Sequence, residues 1–410
     1  MTILDPPTSA TTARPAWRLR HGAGFRVVAA AFATVMAFAT VPTPLYAIYQ
    51  QVDGFSPAAI TAVFAAFAVG VMTSLYLAGH LSDTLGRRPM ILFSVLVEVV
   101  SAIVFLQSTS LVVLLLARLL CGLGVGTLTA TATAHLSELR LAARPEEGPG
   151  SAATVAGVVN IGGLATGALV GGLLAETTAR PLHTPYLVFL VLLVAAALAV
   201  ALTPETVVRA EERPAYRPQR VAVPAASRST FAAAGAAAFA AFSVFGLFTS
   251  LAPTFLVTVF HQRDHLVAGA VVFGVFGAAT LSQVVAARWP LARQLAVGGA
   301  ATAIGLAAVV VGALTPSAPV FVVGGVIAGS GVGLVFKASV ALAGSLAPAE
   351  SRGEVLAAVF LVAYAGITLP VLAVGVALLA VPAEPVLVVF AVLVAGAVLV
   401  TTARLRHTQA

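Results

Sequence analysis

Three charged side chains stand inside long apolar runs: Glu98, Arg118 and Lys337. Charge within hydrocarbon costs at least about 2.5 kcal/mol on insertion scales, so such residues are expected to be paired or functional. Glu98 and Arg118 belong to consecutive runs that turn back near residues 108–109. Residues at equal depth in an antiparallel hairpin have numbers that sum to about twice the turn position, and these two sum to 216. A carboxyl group level with a guanidinium is suited to taking up and releasing a proton. The same spacing also fits a static ion pair, or a Glu98 that faces elsewhere. Lys337 is the chain's single lysine. It can snorkel to the nearby headgroups, or point inward and attract an anionic group. His135, Asn160, Gln283 and Tyr364 are further polar candidates within apolar runs. They suit a cavity wall or a helix-packing hydrogen bond.

These residues are carried by a very apolar chain. Of its 410 residues 60% are hydrophobic and 9% charged, and the mean hydropathy is +1.04. A soluble exterior needs far more charge than this. The apolar runs are continuous, whereas the strands of a membrane barrel alternate. The expected fold is therefore an all-α membrane protein. Twelve spans of helix length are predicted near 25–49, 58–80, 89–107, 110–134, 151–175, 185–203, 229–259, 266–287, 292–314, 318–344, 353–380 and 384–403. The segment 204–228 carries eight charges and several prolines and reads as a solvated linker between two halves, 25–203 and 229–403. Residues 1–24 and 404–410 read as tails, with no secretory signal pattern in the first.

Eighteen of the 22 Lys and Arg residues fall in the tails and alternate loops on one side, against Arg180 and Arg263 on the other. That bias predicts both termini in the cytoplasm of a cell (plasma or inner) membrane. It also explains the net charge of +7 without a nucleic-acid partner. Cys121 is the single cysteine, so no disulfide within the chain and no cysteine metal cluster is expected. No phosphate-binding loop, zinc pattern or nucleophile–base set is found, which argues against an enzyme and against a bound cofactor.

The halves echo each other. Pro42-Thr43-Pro44-Leu45 is matched by Pro253-Thr254-Phe255-Leu256 at an offset of 211. Gly122-Leu123-Gly124-Val125-Gly126 is matched by Gly329-Ser330-Gly331-Val332-Gly333 at 207, and Gly163 and Gly172 by Gly366 and Gly375 at 203. Three echoes in order predict two pseudo-symmetric six-helix halves with a substrate site between them near mid-membrane.

Two motifs are specific enough to name a family. The loop after the second span reads Gly79-His80-Leu81-Ser82-Asp83-Thr84-Leu85-Gly86-Arg87-Arg88. With its Gly79, Asp83, Gly86, Arg87 and Arg88 it resembles the signature loop of the major facilitator superfamily, departing at Thr84, where that family carries Arg or Lys. The resemblance implies a conformational gate in which the aspartate meets neighbouring helix ends. In the fifth span Gly163, Gly167 and Gly171 line one face with Gly172 beside it. A bare face lets another helix pack closely. It is also similar to the antiporter motif of the superfamily's drug–proton exchangers, with Ala168 in place of proline. Arg118 with Gly122 and Gly126 resembles the family's fourth-span motif, in which the arginine is implicated in proton coupling. The resemblance implies proton-coupled antiport exporting small amphipathic or drug-like molecules by alternating access. Proton-coupled uptake of a small metabolite, or a non-transporting membrane sensor, are the alternatives. The expected partners are a small-molecule substrate, protons and the lipid bilayer.

Overall fold

The computed structural model describes residues 18–78, 81–146, 150–207, 227–346 and 352–407. Among them, twelve helices are long and apolar enough to cross a membrane. In chain order they are α1 (His21–Asp53), α2 (Pro57–Ala78), α3 (Arg87–Gln107), α4 (Leu111–Ala143), α5 (Gly150–Thr177) and α6 (Thr184–Ala201), followed by α7 (Arg228–Thr258), α8 (His265–Val285), α9 (Leu291–Leu314), α10 (Ala318–Ser345), α11 (Arg352–Ala377) and α12 (Ala383–His407). No strand occurs among the described residues. This follows from the solvent: only structures that satisfy every backbone group internally can cross hydrocarbon, and a continuous apolar run does so as a helix.

Glycine decides how closely these helices approach. No aqueous hydrophobic drive pulls helices together in lipid, so contact depends on small residues that let backbones meet. A side chain at Gly122 of α4 would overlap the Phe67 carbonyl of α2, and one at Gly126 would overlap Val71. In the second half Gly329 and Gly333 of α10 meet the Val275 and Ala279 carbonyls of α8 in the same way. The contact of α1 with α5, sealed by Thr40 Oγ1 donating to Leu164 O at 2.6 Å, recurs between α7 and α11. There Ser243 Oγ donates to Gly366 O at 3.1 Å. Gly172 of α5 lies against His265 of α8, and its counterpart Gly375 of α11 lies against Thr61 of α2. The repeat read in the glycines is thus a repeat in helix pairing, and these last two contacts join the halves.

The first helix of each half is broken where its prolines fall. In α1 the break is at Val41, before Pro42 and Pro44, residues that cannot donate to the helical ladder. In α7 the ladder widens over Leu247–Leu251, where Ala252 N bonds Leu247 O five residues back, just ahead of Pro253.

Several boundaries differ from expectation: helix takes in residues 21–24 and 404–407 of the expected tails, and two further differences bear on the site. The fourth span does not end near 134: α4 continues to Ala143. Its last turns carry Glu138 and Arg140, but Leu, Glu, Arg and Ala are good helix formers, and the Arg140 guanidinium lies over the Phe25 ring at 5.1 Å. The linker does not begin solvated at 204. Thr203 and Pro204 are buried, with Pro204 against Gly24, and Glu205 and Thr206 bind the ends of α3 and α4. Residues 208–226 of the expected linker lie outside the described residues.

Substituting Gly122→Leu or Gly329→Leu forces apart a helix pair whose backbones touch. Overpacking costs about 1–3 kcal/mol or more. Both variants are expected to lower the midpoint of thermal unfolding in detergent by similar amounts. Gly277→Leu, at a position where a Cβ meets nothing within 4 Å, is expected to leave it unchanged.

Candidate functional site

Between the two halves lies a cavity of about 770 Å³. Its deep end is lined by Ala39, Thr40, Phe64, Phe67 and Arg118 on the first half, with Thr249, Phe245 and Ile367 on the second. Its mouth is lined by Ser82, Asp83, Arg87, Ser137, Leu356 and Ala357, so it opens at the end that carries the signature loop. The opposite end is shut by contacts between halves. Thr254 Oγ1 donates to Gln50 Oε1 at 3.1 Å, and His265 N donates to Glu176 Oε2 at 3.0 Å. Behind them the Tyr49 and Tyr186 hydroxyls lie 3.2 Å apart, and the Tyr186 ring stacks on Phe105 with centroids 4.5 Å apart.

The mouth is built on a polar lattice. A single helical turn, Leu81–Leu85, brings Asp83 to Arg87 at 2.6 Å. Arg87 also reaches Ser82 Oγ at 2.7 Å and, through Nε and Nη2, Glu138 Oε1 of α4 at 3.1 and 3.0 Å. Thr206 donates to the other Glu138 oxygen, and His135 Nδ1 lies 2.9 Å from the Thr206 hydroxyl. Glu205 caps α3, accepting from Arg87 N at 2.9 Å and Arg88 N at 3.1 Å. A carboxylate there meets both the unsatisfied amides and the positive end of the helix dipole. Gly86 serves the cap twice. Its φ of +103° belongs to the region that glycine alone enters easily, and a Cβ would collide with the Glu205 carboxylate.

The expected loop residues Asp83, Gly86, Arg87 and Arg88 are therefore brought together, while Gly79 lies outside the described residues. Glu138, Glu205 and Thr206 were missed. Their signal was local: a Glu in α4 one turn past the apolar run, and Thr203-Pro204-Glu205-Thr206 directly after the sixth span.

Arg118 is on the cavity wall and 1% exposed. Its Nη1 donates to Ala39 O at 2.7 Å, beside the break in α1. Its guanidinium carbon stands 4.5 Å from the Phe67 ring centre and 5.8 Å from that of Phe64. Nε has no hydrogen-bond partner. Glu98 does not pair with it. The two share a depth, as Ser101 Oγ donating to Ala117 O at 2.8 Å confirms for the hairpin. Yet the described ion pairs include none between them within 4 Å. Glu98 is off the cavity wall, completely buried in the space left by Gly124 and beside the Cys121 thiol and the Val125 backbone. Hairpin spacing fixes depth, whereas rotation about the helix axis decides facing.

Asn160, Gln283 and Tyr364 line the cavity. Lys337 does not. Its Nζ donates to Gln283 O at 2.7 Å, in the last turn of α8. There it satisfies an end-of-helix carbonyl and opposes the negative end of the dipole. Gly163, Gly167 and Gly171 seat α5 on Met36, Ala37 and Val41 of α1, and Gly172 faces α8. No group of three or more metal-ligating side chains occurs among the described residues.

Comparison with known proteins agrees with this architecture. The family model described as Major Facilitator Superfamily matches residues 27–371. The chain belongs to that superfamily. Among curated proteins it is 32% identical over 77 residues to the glucose transporter GlcP of Staphylococcus epidermidis, a match covering 19% of this chain and 17% of that protein. It is 43% identical over 60 residues to monosaccharide-sensing protein 2 of Arabidopsis thaliana, covering 15% and 8%. The chain thus matches less than a fifth of the length of either relative. Over nearly its whole length it shares the fold of the human organic anion transporter MFSD10 (TETRAN). The TM-score is 0.70 at 18% identity, over 96% of this chain and 100% of that one. For the nucleoside transporter NupG the TM-score is 0.66 at 12% identity, over 93% and 98%.

The Glu205 cap is testable. Glu205→Ala is expected to destabilise the start of α3 by about 0.5–2 kcal/mol, a roughly 2- to 30-fold faster amide exchange there. Hydrogen-exchange mass spectrometry of a peptide spanning 86–92 reads it, with peptides from α9 as the unchanged reference.

Proposed function

We propose that this protein is a secondary transporter that exports small amphipathic molecules across a cell membrane in exchange for protons. The observation that carries this reading is the central cavity, open at one end and shut at the other by contacts between two pseudo-symmetric halves. A substrate would bind between the halves, and their rocking would expose it to each side in turn. The arginine bias in the loops supports placing the open mouth and both termini in the cytoplasm. The cavity is then ready to load from inside, as an exporter requires. Its rings, Phe64, Phe67, Phe242 and Phe336 among them, favour a substrate with substantial apolar surface.

The signature loop is the proposed gate. Asp83 of the first half and Leu356 and Ala357 of α11 in the second all line the mouth, and closure of the mouth would bring the two halves' rims together. The Gly163–Gly172 face supports antiport by resemblance, and it joins α5 both to α1 and to α8. Glu98 is the proposed proton carrier. It is a buried carboxyl with no salt bridge, and a rearrangement of α3 against α4 would open a route for its proton. A second reading, proton-driven uptake of a metabolite such as a sugar, is favoured by the match to the glucose transporter and by Asn160 and Gln283 on the wall.

The test is transport by purified protein in proteoliposomes with an imposed pH gradient. Substrate moving against the proton flow, at a rate at least about tenfold lower in Glu98→Gln, is expected, in line with the usual contribution of a proton-transfer group. Asp83→Asn should slow transport while leaving substrate binding intact. Co-directional movement would replace export with uptake, and undiminished gradient-driven transport in Glu98→Gln would remove the carrier role.

A further inference from the structure

The cavity has an unbalanced charge. Among the described lining residues only Asp83, Arg87 and Arg118 are charged, and the first two pair with each other at the mouth. Arg118 at the deep end has no carboxylate within 4 Å and a bare Nε, and its one hydrogen bond goes to a neutral carbonyl. A buried guanidinium without a counter-ion is costly, and a hydrogen-bonded anion offsets that cost. Glu98 lies off the wall behind Gly124 and makes no ion pair with Arg118, so while it holds its proton the guanidinium has no counter-charge.

The surroundings define what else the anion must carry. From Arg118 a run of rings crosses between the halves. Its guanidinium lies on Phe67, and Phe67 meets Tyr364 at 6.5 Å. Tyr364 meets Phe242 at 5.7 Å, Phe242 meets Phe336 at 4.5 Å, and Phe336 meets Phe360 at 5.6 Å. All five rings line the cavity. Such a wall takes an aryl or alkyl body in offset or edge contact, while one end reaches the cation. The volume of about 770 Å³ lies in the range that encloses drug-sized ligands.

We infer that the substrate is an amphipathic organic monoanion, an aryl carboxylate or its like, with its acid group on Arg118 and its apolar body along the Phe67–Phe360 ring wall. This rests on the transport reading and narrows it. A single unopposed cation matches a single negative charge. A lipophilic cation would be repelled at the deep end, and a polyanion would leave charge uncompensated among phenylalanines.

Equilibrium binding of three probes that share a naphthylmethyl body tests the inference on the full-length protein in detergent: 1-naphthylacetate, the neutral 1-naphthylacetamide and the cationic 1-naphthylmethylammonium. The acid is expected to bind at least about tenfold tighter than the amide, with the amine weakest. Arg118→Gln should weaken the acid at least about 30-fold, as removing one partner of a buried charge pair does, and leave the amide within about threefold. Arg118→Lys should restore part of the preference. Retained amide binding by Arg118→Gln shows that the variant is folded. If it binds none of the probes, the native protein's ranking of acid over amide over amine decides alone. Equal binding of acid and amide, tighter binding of the amine, or no binding of any probe overturns the inference. Gradient-driven movement of other compounds in the proteoliposome assay would still uphold the transport reading, so the two can fail separately.

Discussion

The close approach of backbone to backbone at glycine is the contact on which the remaining structure depends. Water gives apolar surfaces a reason to associate, and lipid does not. Helices here must earn contact through shape. Gly122 on the Phe67 carbonyl and Gly329 on the Val275 carbonyl set two such crossings. Those crossings place Phe67 and Arg118 on one wall, and Phe245 and Phe276 on the other, stacked at 4.1 Å. Gly172 on the His265 carbonyl is a further such contact, and Gly375 makes room for the Thr61 side chain; both join the two halves at the shut end. The cavity is what remains where the glycines stop and large rings begin.

Polar groups follow the complementary rule. With no water to satisfy them, hydroxyls inside spans return to their own helix: Thr129 donates to Val125 O and Thr131 to Thr127 O, at 2.7 and 2.9 Å. Such back-bonding leaves few polar groups for other helices, so those that do reach across mark special places. Thr40 and Ser243 cross at matching positions of the two halves, and Arg118 crosses to Ala39 beside the α1 break. The dense lattice of Asp83, Arg87, Glu138, Glu205 and Thr206 is confined to the arginine-rich end. At the matching corner of the second half there is a simpler arrangement, Arg293 over the Trp289 ring at 4.3 Å and Gln294 Nε2 donating to Trp289 O at 2.8 Å. The two corners therefore differ in their chemistry although the helices repeat.

Much of this was legible in the residues. Continuous apolar runs gave the twelve helices, and glycine echoes gave the repeat, since both depend on composition along one axis. Facing was harder to read. Glu98 and Arg118 were correctly placed at one depth, but each step along a helix turns the side chain by about 100°, so depth leaves facing open, and Glu98 faces away from the cavity. Lys337 was read as a snorkelling or cavity-facing cation, whereas its partner is a helix-end carbonyl 54 positions earlier in the chain, which no local pattern announces. Glu205 was hidden by its neighbours: a charged, proline-bearing stretch looks solvated as a whole, although its first residues dock beneath α3.

The widened turn in α7 has a consequence for the shut end. A turn that bonds five residues back carries one residue more than the regular helix would, and Ala252 N to Leu247 O is such a bond. Relaxing it to ordinary register would turn the helix beyond it by about 100°, the angle of one residue. Thr254 lies beyond it and holds Gln50 of the first half. The wide turn is thus a place where a change of register would swing Thr254 off Gln50, as a key is turned in a lock, before one half moves against the other.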